Sequence, residues 1–147
     1  DESEAIFIAV GTPQDADGSA DLSFVFTVAK QIAKSIKNDH KIIITKSTVP
    51  VGTGEKIQEI IKKENPSAKF SICSNPEFLR EGCAIDDFLK PDRIIIGAND
   101  EYGKQKMAEI YQFFDNKFPI IFSKKLSLSI ILSDSYYPFC QYYKPNL

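Results

Sequence analysis

Two carboxylates, Glu77 and Glu81, stand four residues apart in the stretch Ser74-Asn75-Pro76-Glu77-Phe78-Leu79-Arg80-Glu81-Gly82, directly after an apolar run at residues 70–73. A carboxylate at a strand end can act as a general base, taking a proton from water or an alcohol. A second polar cluster, Lys46-Ser47-Thr48-Val49-Pro50-Val51-Gly52-Thr53, follows another apolar run at residues 42–44. Parallel strands bring their carboxyl ends to one rim, so these two segments would present hydroxyl and carboxylate groups to the same ligand.

Each cluster also fits a plainer role. Ser47 and Thr48 suit a helix cap as well as a ligand contact, and one loop can do both. Glu77 and Glu81 share one side of a turn if residues 77–81 are helical, and with Arg80 between them they also suit a solvated, ion-paired face. The turn Val10-Gly11-Thr12-Pro13-Gln14 can aim backbone N–H groups and a hydroxyl at a ribose or phosphate, or simply end a strand. Cys83 lies one residue past the carboxylate motif, but no His or other base stands near it in sequence. It reads as a small buried residue, not a nucleophile.

The elements that must position these groups are legible as an alternation. Short β-branched runs recur at residues 5–10, 42–45, 70–73, 94–96 and 119–122, each of a length suited to a buried strand. Between them, Leu22, Val25, Ala29, Ile32 or Ala33 and Ile36 form one helical stripe behind a capping Asp21. Ile57, Ile60 and Ile61 make a second stripe over residues 53–63, and Met107, Ile110, Tyr111 and Phe114 a third over residues 101–114. Strands alternating with helices predict an α/β fold, a parallel sheet with flanking helices. Residues 124–147 differ: they lack Gly, Ala and Glu, are rich in Ser and Tyr, and hold no period, so an irregular C-terminal tail is expected.

Composition narrows the classes of function. The 147 residues carry a net charge of −2 and are 43% hydrophobic, which suits one domain with a packed core. Eighteen basic residues interspersed with twenty acids give no stripe for nucleic acid, and no apolar run reaches the ~20 residues of a membrane span. Cys73, Cys83, Cys140 and the single His40 lack metal-ligand or disulfide-framework spacing, so no metal and a cytoplasmic location are expected. The chain opens at Asp1 with neither Met nor a secretory leader, and its start is expected to be a cut end.

Over residues 1–122 the sequence resembles the UDP-glucose/GDP-mannose dehydrogenase family. Three motifs carry the resemblance in order: residues 7–13 with 18–23, residues 46–53, and residues 74–82 continued through Asp87-Phe88 and residues 91–97. The combination is far more specific than a lone glycine fingerprint. It implies the later part of a Rossmann-type NAD-binding domain over residues 1–123, followed by a tail at 124–147 without resemblance, its composition that of an out-of-frame translation.

The resemblance further implies oxidation of UDP-glucose to UDP-glucuronate in two steps, with two NAD molecules and a thioester on a cysteine. Val10, Gly11, Thr12, Pro13, Gln14, Ser47, Thr48, Val49 and Glu81 would line NAD. Thr48 would also hold a catalytic water, and Glu77 would be the base for thioester hydrolysis. Glu77, Phe78, Leu79, Arg80 and Glu81 would border the nucleotide sugar; a GDP-mannose-type substrate fits the same Phe-Leu-Arg-Glu-Gly form. Among the seven glycines none forms the Gly-x-Gly-x-x-Gly turn, and the family's central helix and cysteine domain have no counterpart here. The 147 residues alone are therefore expected to be inactive, with a complementing dehydrogenase fragment, or a non-catalytic nucleotide-sugar-binding module, as further possibilities.

Overall fold

Strand β2, Lys41–Thr45, is buried along its whole length and lies second in a five-stranded sheet of order β1-β2-β3-β4-β5. The computed structural model describes residues 3–77, 79, 82–114 and 117–123. Its other strands are β1 Ala5–Ile8, β3 Phe70–Ser74, β4 Ile94–Ala98 and β5 Ile120–Ser123. Each expected apolar run thus forms a strand. The helices are α1 Ser23–Ser35, α2 Thr53–Glu64, α3 Ala84–Leu89 and α4 Glu101–Tyr111, the last continued by a 3-10 turn at Gln112–Phe114.

Because side chains alternate across a strand, β2 feeds two cores. Ile43, with Ile8 and Ile72, packs against Val25, Ala29, Ile32 and Ala33 of α1 and Ile57 and Ile61 of α2. Ile42 and Ile44, with Cys73, Ile94 and Ile96, pack against Met107, Tyr111 and Phe114 on the other face. Burial on both faces explains why the strands read as unbroken apolar runs.

β1, β2 and β3 are mutually parallel, as are β4 and β5, but β3 pairs with β4 antiparallel through Cys73 opposite Ala98 and Ser74 opposite Gly97. The expected parallel sheet is therefore broken at one junction. A parallel link needs a crossover that covers a sheet face, and α3, the helix between these strands, buries none of its residues. The reversal pairs the carboxyl end of β3, Cys73 and Ser74, with the last residues of β4, Gly97 and Ala98.

Two local features hold the α4 face. Asp100 Oδ1 accepts from Gly103 N–H at 2.7 Å and so caps α4, and it also accepts from the Ser71 hydroxyl at 2.9 Å. A Cβ on Gly103 would stand 3.0 Å from Cys73 Sγ, so glycine lets α4 approach β3. At α1, Asp21 Oδ1 accepts from Ser23 N–H at 2.8 Å, from the position before the N-cap residue Leu22. Residues 124–147, the expected tail, lie outside the described residues.

Candidate functional site at the sheet's carboxyl rim

The carboxyl ends of β1, β2 and β3 lie side by side, and backbone bonds continue the sheet into the loops beyond. Lys46 N–H donates to Ile8 O at 2.9 Å, and Asn75 N–H donates to Thr45 O at 2.9 Å. Side chains then tie the first two loops together. Ser47 Oγ donates to Val10 O at 2.6 Å, and Thr12 Oγ1 donates to Thr48 O at 3.0 Å. The sequence-predicted residues Val10, Thr12, Ser47 and Thr48 thus form one wall.

Neither Ser47 nor Thr48 caps α2. That helix starts after Gly52, whose φ of 88° is left-handed, with no side-chain cap, and Thr53 Oγ1 turns back to Pro50 O at 2.7 Å. Thr48 is exposed at the rim, whereas Val49 is buried in the α1/α2 core. Gly11 has nothing within 4 Å of where a Cβ would stand. Pro13 O accepts from Asp21 N–H at 2.8 Å, and Gln14 bridges to Ala20 and donates to Gly18 O at 3.2 Å. Gln14 is therefore engaged in its own loop.

Glu77 is exposed, two residues beyond the fully buried Asn75. Glu77 and Leu79 have no helical structure, and α3 begins only at Ala84, so a helix over residues 77–81 does not form at the positions described. Proline at 76 already works against a helix immediately before it. Phe78, Arg80 and Glu81 lie outside the described residues. Cys83, expected to be buried, is exposed before α3, because α3 packs no residue into the core.

Sequence reasoning missed a buried polar knot beneath the rim. Asn75 Nδ2 donates to Ile95 O at 2.9 Å, and Asn75 Oδ1 accepts from the Tyr111 hydroxyl and from Lys46 Nζ at 3.4 Å. Burial pulls the Lys46 ammonium below its ordinary pKa, against the opposing pull of the Glu77 carboxylate. Burial pushes the Tyr111 phenol up, against the bond to Asn75. Only the Asn75-Pro76 dipeptide hinted at this knot, since Tyr111 reads as one more apolar-face residue.

A three-strand carboxyl rim carrying hydroxyls and a carboxylate defines the ligand edge of a Rossmann-type α/β domain. Residues 1–115 match the model of the UDP-glucose/GDP-mannose dehydrogenase family, NAD binding domain, and the chain belongs to that family. It is 45% identical over 133 residues to the UDP-glucose 6-dehydrogenase of Rhizobium meliloti, covering 88% of this chain and 30% of that protein. It is also 44% identical over 117 residues to the UDP-glucose 6-dehydrogenase of Pseudomonas aeruginosa, covering 77% and 26%.

Among solved structures, it superposes on a UDP-glucose dehydrogenase from Pyrobaculum islandicum with a TM-score of 0.79 and 44% identity, covering 84% of this chain and 29% of that one. A GDP-mannose dehydrogenase from Pseudomonas aeruginosa in a ternary complex gives 0.80 and 32%, covering 87% and 30%. The chain spans about a third or less of the length of these relatives. NAD is the cofactor of this domain. The open space at Gly11 and the exposed Thr48 fit one wall of such a site.

Proposed function

We propose that these residues are the substrate-facing part of the NAD domain of a nucleotide-sugar dehydrogenase that oxidises UDP-glucose, as in polysaccharide precursor synthesis. The single observation that carries the reading is the shared rim: Ser47 bonded to Val10 and Thr12 bonded to Thr48 join the first two loops, and Lys46 Nζ donates to Asn75 Oδ1 of the third loop, which carries Glu77. In this reading Val10 to Gln14, Ser47, Thr48, Val49 and Glu81 line the dinucleotide, which when bound accepts hydride. Thr48 holds water by its hydroxyl. Glu77 takes the proton of that water as general base, and residues 77–81 border the sugar nucleotide. The sugar nucleotide is UDP-linked or a GDP-mannose type; both kinds of dehydrogenase share this fold.

The 147 residues by themselves do not turn over in this reading, because a dinucleotide site without its glycine turn lacks the main pyrophosphate contacts. Purified chain incubated with UDP-glucose and NAD should give no sustained rise in NADH absorbance; steady turnover would refute this. In this reading the residues from 124 to 147 are a tail without family resemblance, and reading the coding DNA from about residue 118 in all frames tests whether their composition is accidental. Free thiols at Cys73 and Cys83 support a reducing, cytoplasmic setting, and no helix among the described residues is long and apolar enough to cross a membrane.

A second feature favours a complementing polypeptide as partner. β1 is an edge strand among the described residues, with Phe7 exposed, and a cavity of about 200 Å³ opens beside it. The cavity is lined by the apolar Ala5, Ile42 and Ile110 and the charged Glu4, Lys106 and Glu109. An unpaired edge accepts a strand from another chain. Calorimetry with UDP-glucose separates the remaining reading: saturable binding by the chain alone identifies a binding module, and silence identifies a piece that needs its complement.

A further inference from the structure

We propose that Asn75 is a positioning residue that holds the Lys46 ammonium at the rim, and that the Tyr111 hydroxyl, sharing the same carboxamide oxygen, sets how tightly it is held, so that helix α4 tunes this lysine. The functional meaning rests on the reading of the rim given above; the geometry stands apart from it.

Asn75 is 2% exposed, and its backbone N–H and both ends of its carboxamide have partners on different elements. Its N–H donates to Thr45 O at the end of β2, and its Nδ2 donates to Ile95 O of β4, both at 2.9 Å. Its Oδ1 receives two donors, the Tyr111 hydroxyl of α4 and, at 3.4 Å, Lys46 Nζ. Tyr111 is itself held by a parallel ring stack on Phe114, with centroids 6.2 Å apart and planes 6° apart. The carboxamide is thus fixed in orientation as well as in place, since only the nitrogen side can serve Ile95 O and only the oxygen side can accept.

Two donors on one carbonyl oxygen compete. The Tyr111 hydroxyl occupies part of this oxygen's accepting capacity, so Lys46 Nζ, at 3.4 Å, takes a weaker bond than it would alone. Pro76 is the single residue between the anchored Asn75 and Glu77, and its fixed φ limits how far the carboxylate can wander. Among the described residues, the titratable groups that bear on Lys46 are Glu77, whose carboxylate favours the ammonium, and Tyr111, which shares its Asn75 acceptor.

The test is an NMR titration of the full chain carrying 13Cε-labelled lysine, with Lys46→Arg to assign the signal. In Tyr111→Phe the ring stays in its stack while the freed lone pair of Asn75 takes a stronger bond from the ammonium. The Lys46 midpoint should then rise by about half a pH unit. An unchanged or lower midpoint overturns the proposal. Asn75→Asp decides the matter should Tyr111→Phe fail to fold: a carboxylate at that oxygen should raise the midpoint by about one unit or more, and no rise overturns the contact. Calorimetry with UDP-glucose on the unaltered chain reports on the rim reading separately, so a moved Lys46 midpoint without ligand binding removes that reading and leaves the hold on Lys46 standing.

Discussion

The Ser47 hydroxyl donates to the Val10 carbonyl at 2.6 Å, joining the loop after β2 to the loop after β1. This bond spends the first hydroxyl of the Ser-Thr pair on structure and leaves its neighbour, Thr48, exposed. The two residues should therefore respond differently to truncation. Ser47→Ala should lower stability by about 1 kcal/mol, and Thr48→Ala should leave it within about half a kcal/mol of the parent. Urea unfolding of both variants checks the contrast, and equal losses would contradict it.

Gly103 and Gly11 make a second pair of opposites. A methyl group on Gly103 meets Cys73 Sγ at 3.0 Å and Ser71 Cβ at 3.4 Å, both on β3, so Gly103→Ala should push α4 off the sheet and cost about 1–3 kcal/mol. Gly11→Ala enters open space and should leave thermal stability nearly unchanged. Melting curves of the two variants decide this.

Burial, aided by Asp100, pushes the Cys73 thiol up to about 12 from an ordinary value of 9.0. Above pH 9 the unfolded chain loses this proton while the folded chain keeps it, so the folded state binds more protons and stability falls as pH rises from about 9 towards 12. Cys73→Val should flatten part of that decline. Alkylation offers an independent check: exposed Cys83 should react rapidly in the native chain, and Cys73 only on unfolding.

Much of the fold was legible because the chain buries its strands on both faces. Runs such as Ile42-Ile43-Ile44 have few alternatives, and the α1 stripe through Val25, Ala29 and Ile32 occupies the buried positions it predicts. The antiparallel step at β3 and β4 was not legible, since strand direction leaves no mark on composition; α3 hides it by burying nothing. The rim followed from motifs at strand ends. Its support did not: Asn75 and Tyr111 are 36 residues apart, and periodicity assigns Tyr111 to a core face without exposing the hydroxyl's partner. Cys83 misled for a related reason, because a cysteine's usual burial says nothing about a helix that packs no face.

The account's central claim is that the wall formed by Val10, Thr12, Ser47 and Thr48, together with Glu77, faces a nucleotide ligand. Backbone amide NMR of the chain titrated with NAD and then with UDP-glucose, up to millimolar concentrations, tests it most directly. Shifts concentrated at residues 10–14, 46–49 and 77–82 are predicted, and Thr48→Ala and Glu77→Gln should weaken them. Shifts confined to other surfaces, or none at the rim at saturating ligand, would contradict the account.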